Sequence, residues 1–296
     1  MTSTPAAPTL AVLSMTRGNH EQLLGQVDGI SVGSRPADLH VVISMGDRDL
    51  TRNRLPLGTD RWRTIVRPVQ TDRRALPFAA ARNLAAETAL EEGADVLVFL
   101  RDAAIPGGRT LERYADAVTG QGHGPGVADR PELDGPAMWC GPVLELPPPE
   151  NPLVGYPFGQ LRDVAVPTPG IPALAPGQYE VDRRWELGGG CAFAMSARDW
   201  QAVGGYSADY VGHGLEDVDF ARAVHEAGGA RVWVGGATAY QQPVPDVPLA
   251  DEARIAVRHA DVWRERWGAE PDVPWLQRLQ GQGLVRRDRS GRFIAA

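Results

Sequence analysis

Within the first hundred residues, short apolar runs alternate with segments of helical spacing, and that alternation leaves few folds open. Leu10-Ala-Val-Leu-Ser-Met15 and Leu39-His-Val-Val-Ile-Ser-Met45 read as strands, as does Trp62 to Val69 with its Arg63-Thr-Ile-Val66 centre. Asp95-Val-Leu-Val-Phe-Leu100 is a fourth. It is apolar on both faces, as strands of a parallel sheet covered by helices on both sides are. Between them, His20 to about Ile30 sets Leu23, Leu24, Val27 and Ile30 at helical spacing, and Phe78 to Glu91 is an Ala-rich helix ended by Gly93. The β-α-β-α-β order predicts an open α/β sheet. Ligands of such sheets sit beyond the C-terminal ends of the strands. That rule gathers Thr16, Arg17, Asp47 and the Arg101-Asp102 pair around one crevice.

Beyond Tyr114 the chain changes character. Residues 120–180 are rich in Gly and Pro, with Pro147-Pro-Pro149, and read as long irregular loops holding one strand, Ala137 to Leu144. Loops of that length in a compact domain are usually functional lids or mobile segments. Regular structure returns with Leu187-Gly-Gly-Gly-Cys191 and a short apolar strand. Ser196 and Asp199 have capping-box spacing, which opens a helix that Gly204-Gly205 ends. Gly212-His-Gly-Leu-Glu-Asp-Val-Asp219 then puts three carboxylates ahead of a helix expected over Phe220 to Ala227. Acids at a helix N-terminus are favoured in their charged form, and capping alone explains one Asp there. Glycines on both sides, which let a bulky ligand approach the backbone, favour a functional cluster. Ala230 to Val234 is a late strand, Pro243 to Pro248 a linker and Leu249 to Trp267 a helix. A short helix and a basic tail, Val285 to Arg292, follow; the tail reads as a solvated end. The C-terminal helix, with its Trp residues, can pack on the sheet or on a second subunit.

Composition excludes several functions. The 296 residues carry a formal net charge of -7, which argues against a partner held by nucleic-acid phosphates. Every one of the 30 basic residues is Arg, a bias of genome composition more than of function. Two cysteines far apart, Cys140 and Cys191, provide neither a disulfide framework nor zinc spacing and suit a reducing, cytoplasmic setting. Met1 to Leu10 lacks the features of a signal peptide, and no stretch approaches the roughly 18 apolar residues of a membrane span.

Leu76-Pro-Phe-Ala-Ala-Ala-Arg-Asn83, Val96 to Pro106 and Gly212 to Asp219, in that order, resemble inverting glycosyltransferases of the GT-A fold. The likeness is to family 2 enzymes with a galactosyltransferase-type C-terminal region, and it runs over roughly residues 9–290. It implies a Rossmann-like α/β domain over 9–245, with a mixed, mostly parallel sheet flanked by helices. A helical extension over 246–296 would pack on the same domain. It also implies a nucleotide-sugar donor, a hydroxyl-bearing acceptor and single displacement with inversion. By position, Thr16, Arg17, Asp47, Arg82, Arg101 and Asp102 belong to the donor side. Asp217 stands as the general base, with Glu216 beside it. Trp185, Gly189, Gly190, His213 and Glu216 belong to the acceptor side, with core packing as the equal alternative for Trp185.

Two departures from the family pattern bear on the metal. The family carries Asp-x-Asp after the fourth strand, where this chain has Arg101-Asp102-Ala103. Relatives often carry His near the end of the sheet region, where this chain has Ala239-Tyr-Gln-Gln-Pro243. Gln is a poor ligand for Mn2+ or Mg2+ beside His or carboxylate. The sequence therefore predicts a transferase without the family's divalent metal, Arg101 pairing with the donor diphosphate in its place. The alternatives are a catalytically inactive relative that binds or regulates, and a scaffold turned to another group transfer.

Overall fold

The computed structural model describes residues 7–18, 20–47, 49–50, 61–71, 76–121, 129–151, 154–188, 190, 192–244 and 248–296. The first half follows the predicted alternation: β1 (Leu10–Thr16), α1 (His20–Val32), β2 (Leu39–Met45), β3 (Arg63–Val69), α2 (Phe78–Glu91) and β4 (Val96–Leu100). Next come β5 (Ala104–Pro106), α3 (Thr110–Thr119), β6 (Ala137–Cys140), β7 (Val143–Glu145), α4 (Leu161–Val164), β8 (Val166–Pro167) and β9 (Tyr179–Asp182). The last part holds β10 (Ala192–Ser196), α5 (Ala197–Val203), α6 (Leu215–Glu226), β11 (Ala230–Val234) and β12 (Ala239–Gln241). It closes with α7 (Leu249–Trp267), α8 (Pro274–Gly281), β13 (Val285–Arg287) and β14 (Phe293–Ala295).

Eight strands form the main sheet in the order β3-β2-β1-β4-β10-β6-β11-β9. The first four run parallel, β10 enters antiparallel between β4 and β6, and β11 returns parallel to β6. Alternate residues of a strand face opposite sides, and β1 divides the core accordingly. Ala11, Leu13 and Met15 pack with Ala79, Ala81 and Ala85 of α2, and with residues of α6 and α7. Leu10 and Val12 pack with Leu23, Val27 and Ile30 of α1 and Leu111 and Tyr114 of α3. Helices thus cover both faces, and β1, β2 and β4 end on one edge.

Three expectations are corrected. The strand expected over Ala137 to Leu144 is two strands in different sheets. It breaks at Gly141-Pro142, where a Cβ on Gly141 would meet the Ala237 carbonyl oxygen at 1.8 Å. β7 instead joins a second sheet, β5-β12-β7-β8, so the 120–180 region contributes short strands and α4 as well as loops. The basic tail is an ordered hairpin of β13 and β14, anchored by buried Val285 and Phe293. The third concerns α6. It begins at Leu215, five residues earlier than the apolar spacing suggests, so the acids lie inside its first turns. Gly214 makes this possible. It caps the helix with φ 148° and ψ -97°, a conformation that side-chain-bearing residues rarely adopt. Trp263 of α7 is 1% exposed and sits in the core with the sheet, alongside Leu276 and Leu279 of α8.

Candidate functional site

α6 begins with Leu215-Glu-Asp-Val-Asp219, and each of its three carboxylates faces different neighbours. Glu216 is enclosed, at 1% exposure. It accepts the Gly214 amide at 2.5 Å, and Arg82 Nη1 and His213 Nδ1 each lie 3.5 Å from its Oε1. Burial would raise its pKa. The hydrogen bond and charge of His213, then the charges of Arg82 and His259, outweigh that and hold it well below the usual carboxylate range. Asp219 is also buried. It accepts Tyr210 Oη at 3.1 Å and Trp267 Nε1 at 2.7 Å and pairs with Arg266 at 2.9 Å, which ties α6 to α7. Only Asp217 keeps an opening, its side chain 10% exposed.

Asp217 meets two guanidinium groups and a phenol. Arg82 Nη2 lies 3.2 Å from its Oδ1, Tyr206 Oη donates to the same oxygen at 3.1 Å, and Arg101 Nη2 stands 3.8 Å from its Oδ2. Arg82 is buried on α2 between both carboxylates, with its guanidinium 4.8 Å from the centre of the Tyr206 ring. Burial lowers the Arg82 pKa, but the charge of Asp217, followed by Tyr206 and Glu216, raises it overall. Burial also pushes the Tyr206 hydroxyl well above its ordinary range, so it stays a donor. Asn83 fixes the Tyr206 backbone from both sides, donating to its carbonyl at 2.8 Å and accepting its amide at 2.9 Å. Arg101 is half-buried at the end of β4, its side chain 38% exposed, and is the more exposed of the two guanidinium groups.

The backbone of Arg101 is held from below. Ser14 Oγ donates to Gln26 Oε1 at 2.5 Å, and Gln26 Nε2 donates to the carbonyls of Arg101 and Ala104 at 2.5 and 3.1 Å. A buried polar chain therefore runs from β1 through α1 to the loop after β4. Sequence reading missed Tyr206, Gln26 and His259, because single polar residues in unrelated segments carry no spacing signal.

The other expected residues divide. Arg82, Arg101, Glu216, Asp217 and His213 come together. Gly188 packs on this group, where an added Cβ would lie 3.5 Å from the Asp217 Cβ. Gly190 is exposed with open space around it, and Gly189 and Cys191 lie outside the described residues. Trp185 packs against Trp263 at 5.7 Å, with Arg222 5.1 Å above its ring, a half-buried core contact. Glu216 presents no accessible face to an acceptor. Thr16 is fully buried, so a nucleotide has no access to its side chain; Arg17 is exposed at the end of β1. Asp47 accepts the Gly18 amide at 2.9 Å and pairs with His20 at 2.6 Å, closing the turn between β1 and α1. Burial works against its charge, yet the Gly18 amide and His20 bonds hold its pKa below the usual value.

The residues at the two metal-related segments do meet, since β12 pairs with β5 and Gln241 lies opposite Ala104. Their chemistry does not fit a hard divalent cation. Arg101 brings a positive charge. Asp102 turns its Oδ1 back to the Ala103 amide at 2.9 Å. Gln242 donates to Gln22 O at 2.8 Å, leaving neutral amides where anionic or imidazole ligands are needed. Among the described residues no three His, Cys, Asp or Glu side chains group as metal ligands.

This architecture is the GT-A fold of glycosyltransferases. Residues 175–241 match the family model described as the N-terminal domain of galactosyltransferase. GalNAc-T7, solved with UDP, GalNAc and Mn2+, superposes with a TM-score of 0.52 at 13% identity, over 94% of this chain and 55% of that one. Residues 1–349 of S. aureus TarS give a TM-score of 0.57 at 12% identity, over 93% of this chain and 69% of that one. The mannosyltransferase PcManGT from Pyrobaculum calidifontis, in complex with GDP-Man and Mn2+, gives 0.50 at 18% identity, over 94% and 69%. The chain thus spans little more than half the length of GalNAc-T7. No curated protein sequence matches it. No described helix is long and apolar enough to cross a membrane.

Proposed function

We propose that the protein is an inverting glycosyltransferase that moves a sugar from a nucleoside-diphosphate donor to an acceptor hydroxyl without the divalent metal of its relatives. The observation that carries this reading is the Arg82-Arg101-Asp217 group. One half-exposed guanidinium stands where the family has an acid, and it is already within 3.8 Å of the one accessible carboxylate. In the mechanism, Arg101 leaves Asp217 for the incoming diphosphate and stabilises the charge that builds on it as it departs. Asp217, still held by Arg82 and Tyr206, takes the proton of the acceptor hydroxyl. The acceptor oxygen bonds to the anomeric carbon, the bond to the diphosphate oxygen breaks, and the configuration inverts. Glu216 and Asn83 are positioning residues, acting through Arg82 and Tyr206.

Binding without turnover is the second reading, favoured by the engagement of Asp217 with three side chains in the free protein. Calorimetric titration of UDP, GDP and their sugar conjugates, with Mn2+ and again with EDTA, separates the possibilities. Binding should survive EDTA, and Asp217→Asn should lower transfer by roughly 100-fold or more while leaving donor affinity within about threefold. Binding that requires Mn2+ removes the metal-independent reading. Full transfer activity in Asp217→Asn removes the base assignment. Donor binding without transfer to any acceptor in the unaltered protein leaves the second reading.

A further inference from the structure

The small sheet has a second end. β5 and β12 lead from the Arg101 loop, where Ala104 faces Gln241, to Pro106 facing Ala239, roughly 7 Å away at strand spacing. From that end, at Gly107 and Thr238, a cavity of about 540 Å³ reaches back along the small sheet to Leu144 and Tyr240. This is within the usual size of small-molecule sites. None of the charged residues discussed above lines it.

Its charge is one-sided. In a chain of net charge -7, the charged residues lining this cavity are Arg109, Arg113 and Arg162, with no carboxylate among the described lining residues. Arg109 is held by Glu112. Arg113, on α3, is different: it is 9% exposed, its Nε has no hydrogen-bond partner, and it makes no ion pair among the described residues. Asp116 and Glu112 feel its charge through space, but Glu112 is engaged by Arg109 and Ser34. Buried guanidinium groups are almost always paired, because an unpaired one has lost its hydration without compensation. A buried cation open on one side to a cavity leaves room there for a partner from outside, beside the field of Asp116. Arg162, exposed on α4, lines the same space, and Ile171, Leu174 and Tyr240 give it apolar walls. The guanidinium fork matches carboxylate and phosphate oxygens.

We propose that this cavity binds a small amphipathic anion, its phosphate or carboxylate on Arg113 and Arg162 and its apolar body against Ile171 and Leu174. The site is separate from the donor cleft and stands whether or not the transferase reading does. The test is calorimetry on the full chain with n-octyl phosphate, octanoate and uncharged 1-octanol, each with UDP present and absent. The anions should bind at least about tenfold more tightly than octanol, the worth of one charge-assisted bond. The tighter of the two anions identifies the head group. Arg113→Met should weaken anion binding about tenfold or more while the thermal midpoint holds or rises, since a buried unpaired charge is removed. A merely structural Arg113 would instead lower the midpoint. Arg162→Ala, at an exposed position, should weaken binding several-fold with folding intact, and it decides the matter if Arg113→Met does not fold. Octanol binding as tightly as the anions, no anion binding, unchanged affinity in the variants, or displacement by UDP would each overturn the proposal.

Discussion

At the level of single residues, Arg82 decides whether the acidic pair of α6 can exist. It is 4% exposed and lies between two carboxylates that are themselves buried. Without it, Glu216 and Asp217 would repel each other in a desolvated pocket. Arg82→Ala should therefore cost about 3–5 kcal/mol in urea unfolding, the usual penalty for orphaning a buried charge. Arg82→Lys, which keeps the charge but not the fork, should cost less. Equal stability of Arg82→Ala and the unaltered protein would mean that the two acids are protonated in the fold, against the depressed Glu216. Arg101 has the opposite character. It is half exposed and its contact with Asp217 is long, so its loss should leave stability nearly unchanged. Arg101→Ala should weaken UDP or GDP binding about tenfold in calorimetry. Unchanged affinity would remove Arg101 from the donor site.

At the level of elements, the site depends on where α6 starts. The apolar spacing from Phe220 onward was legible and the five residues before it were not, because Leu-Glu-Asp-Val-Asp reads equally as a loop. The start is fixed by Gly214, whose φ of 148° no periodicity reveals. A Cβ there would also sit 2.4 Å from the Trp275 ring of α8. Gly214→Ala should thus cost at least about 2 kcal/mol, from backbone strain and the clash together. It should also reduce donor binding, since the Gly214 amide holds Glu216. The informative control is the cap of α5. Ser196 accepts the Asp199 amide at 2.9 Å, as the capping-box spacing predicts. Ser196→Ala should cost about 1 kcal/mol and leave binding alone. A Gly214→Ala protein with unaltered binding would show that the register of α6 does not matter to the site. Tyr206 illustrates a different limit of sequence reading. Its tie to Asn83 crosses 123 positions, and nothing local in Gly-Gly-Tyr announces it.

For the whole molecule, the alternating apolar runs made the central strands and the helices α1 and α2 legible, because burial on two faces leaves a pattern in sequence, whereas the edge strand β9 and the covering helix α3 were not read. The polar interior leaves none, and it governs how the fold responds to acid. His40 is fully buried on β2, with Nε2 3.3 Å from Ser14 Oγ, whose own proton goes to Gln26. His259 on α7 is fully buried too, with Nε2 3.2 Å from the Val211 carbonyl. Each ring therefore carries its proton on Nε2, and each Nδ1 is buried without a partner among the described residues. Protonating either would bury a new unpaired donor and a charge. Burial accordingly lowers both pKa values to about 4, for His259 against the pull of Glu216. The unfolded chain retains the ordinary value near 6.5. Between those limits the unfolded state binds more protons, so stability is full above about pH 6.5 and falls as the pH drops toward about 4. The shift bounds the loss at about 3 kcal/mol for each histidine. Urea unfolding should show the midpoint falling steadily from about pH 7 to about 4.5. In His40→Gln and His259→Gln, which cannot take up the proton, the slope should be shallower. A midpoint that stays flat over that range would mean that the two rings are hydrated or already charged in the folded protein.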